Sequence, residues 1–95
     1  MIWNIEVYKT NAAGWSATEE LRKSLVELGF KSGMPNIPRG SDVGSFWLFG
    51  EDVKKMKEMM DKKLTVCIES VNRKFFISGK PNHQALYCEF SIAVK

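Results

Sequence analysis

The sequence predicts an α+β fold: a two-layer sandwich of about five mostly antiparallel strands with two helices on one face, in the order β-α-β-α-β-β-β. Three observations predict it. Two segments carry an apolar stripe at helical spacing, and the last third alternates apolar and polar residues with the period of two of half-buried strands. The 95-residue length, 44% hydrophobic and 26% charged, is that of one ordinary folded domain. Residues 1–95 are therefore read as a single domain with one core and little volume for a deep cofactor cavity.

Trp3, Ile5 and Val7 alternate with Asn4, Glu6 and Tyr8, which predicts a first strand. Thr10 to Gly14 breaks that pattern. Ser16 and Glu19 then have the spacing of a capping box, in which hydroxyl and carboxylate each take a free backbone donor, so a helix is expected to start there. Leu21, Leu25 and Leu28 form its apolar stripe, with Glu20, Arg22, Lys23 and Glu27 on the other side. Gly29 is placed to end the helix in the left-handed conformation, folding Phe30 back onto Leu25.

Lys31 to Ser45 holds Gly33, Pro35, Pro38, Gly40 and Gly44, and so reads as an irregular loop of about 15 residues. A loop that long inside a compact domain often carries function. Phe46 to Phe49 is expected to be a short central strand, because both of its faces are apolar. Glu51 and Asp52 at the positive end of a second helix, and Lys62 and Lys63 toward its negative end, match the helix dipole. Val53, Met56 and Met60 line its core face, and Met59 lies off that stripe.

Leu64, Val66 and Ile68 alternate with Thr65, Cys67 and Glu69. A turn at Asn72 and Arg73, a return over Phe75 to Ser78, a second turn from Gly79 to His83 and a final strand complete a meander. In the final strand Leu86, Cys88, Phe90, Ile92 and Val94 face one way, and Tyr87, Glu89, Ser91 and Ala93 the other. Cys88 is then inward and Cys67 outward. Their side chains diverge, so two free thiols in a reducing, cytoplasmic setting are expected.

Several chemistries are excluded by missing partners. Two cysteines and one histidine do not make a structural zinc site, and no metal or cofactor is expected. His83 has no triad partners, and Glu69 beside Cys67 opposes thiolate formation, so neither is read as catalytic. The run from Arg39 to Ser45 has the small residues of a phosphate cradle. It lacks the Lys that follows the second glycine of a Walker loop, and it leads into a strand. The chain is accordingly read as non-enzymatic. No membrane span is expected, and Glu6 interrupts what would be the apolar run of an amino-terminal signal.

What remains is binding. Aromatic residues make up 12% of the chain, and Trp15, Trp47, Phe49, Phe75 and Tyr87 are more than one small core is expected to absorb. If the helices cover one side of the sheet, the other side shows Tyr8, Cys67 and Tyr87. The expected partner is a protein, engaged through the loop residues Arg39, Ser41 and Asp42 together with Trp47, Tyr8 and Tyr87. The chain would regulate or inhibit that partner by occupying its surface, in the manner of small regulators encoded by phages and mobile elements. An edge such as the first strand also permits homo-oligomers. The alternative is a nucleic-acid-binding module. It follows from a net charge of +3 and from Arg73, Lys74, Lys80, Lys54 and Lys55, which would neutralise phosphate beside bases stacked on the aromatic face.

Overall fold

The computed structural model describes the backbone of residues 5–38, 41 and 43–95, and within these the side chains from residue 16 onward. Helix α1 (Ile5–Glu27) is followed by strand β1 (Val43–Phe49), helix α2 (Glu51–Met59), and strands β2 (Thr65–Glu69), β3 (Arg73–Asn82) and β4 (Ala85–Val94). The strands form one antiparallel sheet in the order β1-β4-β3-β2. The molecule is thus an α+β domain of two layers. Among the described residues it has four strands, not five, in the order α-β-α-β-β-β.

The difference lies at the amino terminus. Trp3 and Asn4 are outside the described residues, and Ile5 to Tyr8, expected in a strand, belong to the 23-residue α1. Three alternating residues fit either period, and Ala12 and Ala13 are the strongest helix formers. An added strand would also have no place beside β1. On that outer edge Asn36 and Ser45 exchange both backbone hydrogen bonds at 2.9 Å, and the Phe49 amide points to the Ser32 hydroxyl at 3.4 Å. The capping box at Ser16 and Glu19 is not formed either, because Ser16 lies inside the helix and Glu19 pairs with Arg22.

The carboxyl end of α1 is as expected. Gly29 has φ 96°, the Phe30 amide donates to the Leu25 carbonyl at 3.0 Å and the Gly29 amide to Val26 at 2.9 Å, the two bonds of a Schellman cap. The cap turns the chain early. Ala17, Leu21 and Leu25 therefore form the buried stripe, while Leu28 is exposed.

One cluster forms the core. Leu21, Leu25 and Phe30 from the α1 region and Met56 and Met60 from the α2 region pack on Phe46, Leu48, Ile68, Phe75, Ile77, Leu86, Cys88 and Phe90. Val53 and Met59 are half-buried against it. Each strand contributes alternate residues, so both helices cover the same face. The register matches the cluster: Phe46 opposes Cys88, Leu48 opposes Leu86, Phe75 opposes Ile68, and Ile77 opposes Phe90.

Two expectations about the strands are corrected. The Phe46–Phe49 strand is an edge strand covered on one face only, since β1 has β4 as its single neighbour in the sheet. The second meander turn is shorter than expected. Gly79 to Asn82 continue β3, and the reversal is confined to His83 and Gln84, with Asn82 opposite Ala85. Gly79 stays in the strand because Leu86 and Met60 fill the space where a side chain would stand, 3.2 Å from an added Cβ.

Candidate interaction surface

The pleat that buries Phe46, Leu48, Phe75 and Phe90 sends their neighbours to the opposite side of the sheet, which no described element covers. That open face carries Val43, Trp47 and Phe49 from β1, Tyr87 and Glu89 from β4, Lys74, Phe76 and Lys80 from β3, and Cys67 and Glu69 from β2. Trp47, Phe49 and Phe76 are 40%, 58% and 48% exposed.

Trp47 and Phe49 form a patch with Tyr87. Trp47 and Tyr87 are opposite each other across β1 and β4, with ring centroids 4.8 Å apart and planes at 51°. Trp47 also stacks on Phe49 along its own strand, at 6.4 Å and 16°. Each ring fixes the next, so little side-chain entropy is left to lose on binding. Lys80 stands opposite Tyr87, and Glu89 lies one step farther along β4, opposite Ser45 and Ser78.

The charges of this face are of both signs, Lys74, Lys80 and Lys95 with Glu69 and Glu89. Lys74 pairs with Glu69 at 3.6 Å, and Lys95 reaches the other oxygen of Glu69 at 3.6 Å. Among the described residues neither Lys80 nor Glu89 has an ion-pair partner within 4.0 Å. A surface for a polyanion would instead gather cations of one sign.

The predicted site residues are distributed unevenly. Trp47 and Tyr87 meet as described, whereas Tyr8 lies on α1 and is not a sheet residue. Arg39 and Asp42 are outside the described residues, as is the Trp15 side chain. Ser41 is occupied locally: its hydroxyl accepts from the Val43 amide and donates to the Val43 carbonyl, both at 3.1 Å, and this starts β1. Gly44, read as part of a phosphate-like loop, is a packing residue of β1. A Cβ there would stand 2.3 Å from the Phe90 ring and 2.8 Å from the Asn36 carbonyl.

The cations of the alternative reading do not converge. Arg73 is tied to Glu20 of α1, and Lys74 to Glu69. Lys55 extends over the Phe30 ring, 5.8 Å from its centroid. Lys54 lines a shallow open depression beside α2 with Lys57, Glu58 and His83, around the corner from Lys80. Among the described residues no three His, Cys, Asp or Glu side chains could hold a metal ion, and no helix is long and apolar enough to cross a membrane.

Two carboxylates hold the frame behind the face. Glu20 accepts from the Ser70 hydroxyl, the Asn72 amide at 2.7 Å and the Arg73 guanidinium, joining α1 to the β2–β3 turn. Burial alone would raise its pKa, but these donors outweigh burial and hold it below the usual carboxylate range. Buried Asp52 behaves alike. It accepts from the Lys31 and Ser32 amides and the Ser32 hydroxyl, which outweigh the cost of burial and lower its pKa. Sequence reasoning assigned Asp52 to the helix dipole alone; its gathering of backbone more than one element away has no local signature. Of the aromatics expected to exceed the core, Phe49 is exposed and Phe75 fully buried, whereas Phe76 is an exposed residue that the sequence reading did not single out, although outward parity in its strand marks it.

No protein-family model, no curated protein and no solved structure matches the chain.

Proposed function

We propose that the protein is a non-enzymatic, cytoplasmic binding domain that occupies the surface of a protein partner with the open face of its sheet, and alters that partner's activity by covering it. The observation that carries this reading is the patch in which Trp47 packs against both Phe49 and half-buried Tyr87, with Trp47 and Phe49 exposed on a face no described element covers. Rigid aromatics of this kind are the usual anchors of protein interfaces. The mixed charge of the face, Lys74, Lys80 and Lys95 with Glu69 and Glu89, favours a protein over a polyanion. Two free cysteines, Cys67 exposed and Cys88 buried, fit a reducing compartment.

The test places a photo-reactive amino acid at position 47 and, as a control, at Lys23, an exposed position of α1. Position 47 is expected to cross-link a protein in cells and position 23 is not, and Tyr87→Ala should abolish the product without changing the circular dichroism melt. Equal cross-linking from both positions would sink the reading. Salt-sensitive oligonucleotide binding that disappears with Lys80→Ala would replace the protein partner by nucleic acid.

A further inference from the structure

We infer that the occupant of this face is a second copy of the chain, giving a weak two-fold dimer with the two open faces in contact. The inference rests on the reading of the face as protein-binding and names its partner. Its basis is self-complementarity. Among the described residues Lys80 and Glu89 are the two charges of the face without an ion-pair partner, and they are diagonal neighbours, since Lys80 opposes Tyr87 and Glu89 opposes Ser78. A two-fold axis in the plane of the interface, midway between them, sets each Lys80 against Glu89 of the other copy and each Glu89 against Lys80.

The same axis settles the aromatics. With strands about 4.8 Å apart and residues on one face about 7 Å apart along a strand, the rotation returns Trp47 to within about 3 Å of its own site. Trp47 thus meets its mate, and Phe49 lands beside it. One operation satisfies both the unpaired charges and the stacked rings.

The area sets the strength. Four strands about 4.8 Å apart and seven or so residues long present roughly 500 Å² per copy. About 1,000 Å² in total lies at the lower limit for a specific interface, the size of weak and transient contacts. The dimer is then populated at high concentration and displaced by a tighter heterologous partner.

Sedimentation velocity on the full chain between about 10 and 500 μM, a range in which a weak dimer forms, tests this. The protein should shift from mostly monomer to mostly dimer. Lys80→Glu, which sets two carboxylates against each other, and Glu89→Lys, which does the same with two ammonium groups, should each raise the dissociation constant at least about tenfold. The double exchange Lys80→Glu with Glu89→Lys restores opposite charges and should return the constant to within about threefold of the wild type. Circular dichroism melts check that each variant is folded. A monomer throughout the range, or a dimer indifferent to the single exchanges, overturns the inference. A monomer whose position 47 still cross-links a different protein overturns the self-association alone, whereas loss of both removes the reading of the face as well.

Discussion

Phe75 and Phe76 are consecutive residues of one strand, yet one is fully buried under the helices and the other is 48% exposed on the open face. The two sides of the sheet differ in the same way throughout. The covered side meets α1, α2 and Phe30 in one contiguous core, and the open side holds its aromatics against one another. The contrast separates apolar surface that stabilises the fold from apolar surface that is available to a partner, within strands that share every backbone hydrogen bond.

Paired substitutions break or sharpen this contrast. Phe75→Ala should cost about 3 to 5 kcal/mol in urea unfolding, the range for a large buried aromatic; a loss below about 1 kcal/mol would mean the core is not packed as described. Gly44→Ala comes next, at about 2 to 3 kcal/mol, because its Cβ would overlap the Phe90 ring and a backbone carbonyl that cannot withdraw. Glu20→Gln and Asp52→Asn should each lose about 2 kcal/mol, since charged acceptors are removed from donors that stay in place.

These two carboxylates also give a pH dependence. Both have folded pKa values below their ordinary 4.5 and 3.8, so their stabilisation is complete above those values and is lost as pH falls through the folded ones. Urea midpoints should be flat near neutrality and decline below about pH 4. The Gln and Asn variants should decline less, and an equal acid decline in all three proteins would exclude these groups as its source.

Thiol labelling reads the two faces directly. Burial raises Cys88 to about 12, which leaves it a neutral, enclosed thiol, whereas Cys67 is open to solvent. Native protein should react at Cys67 alone, and unfolded protein at both; rapid native labelling of Cys88 would show that the covered side opens. The smallest effect is expected from Phe76→Ala, within about 0.5 kcal/mol of wild type, because its ring packs little.

Much of this contrast was legible in the chain. Alternation sustained over nine residues identified the inward side of β4, and Gly29 with Phe30 identified the cap, because each is a local signal with one physical solution. Short signals failed. Trp3 to Tyr8 alternates too briefly to exclude a helix, and Phe46 to Phe49 is apolar on both faces because one face is sheet core and the other is the exposed patch. The sequence pattern of a strand buried twice and of a strand offered to a partner is the same. Arg73 looked available for phosphate because its partner, Glu20, lies 53 residues away.

The bridge between Asn36 and Ser45 has a further consequence for how copies of the molecule can accumulate. An uncovered edge adds strand upon strand without limit, which is the route to fibres. Here the β1 edge is closed by its own loop, while β2 is only five residues long and ends in the Glu69 cluster with Lys74 and Lys95. The sticky surface is thereby the flat of the sheet and not its margin. A face-to-face contact of the kind proposed is exhausted when two copies meet, whereas pairing at an edge is not.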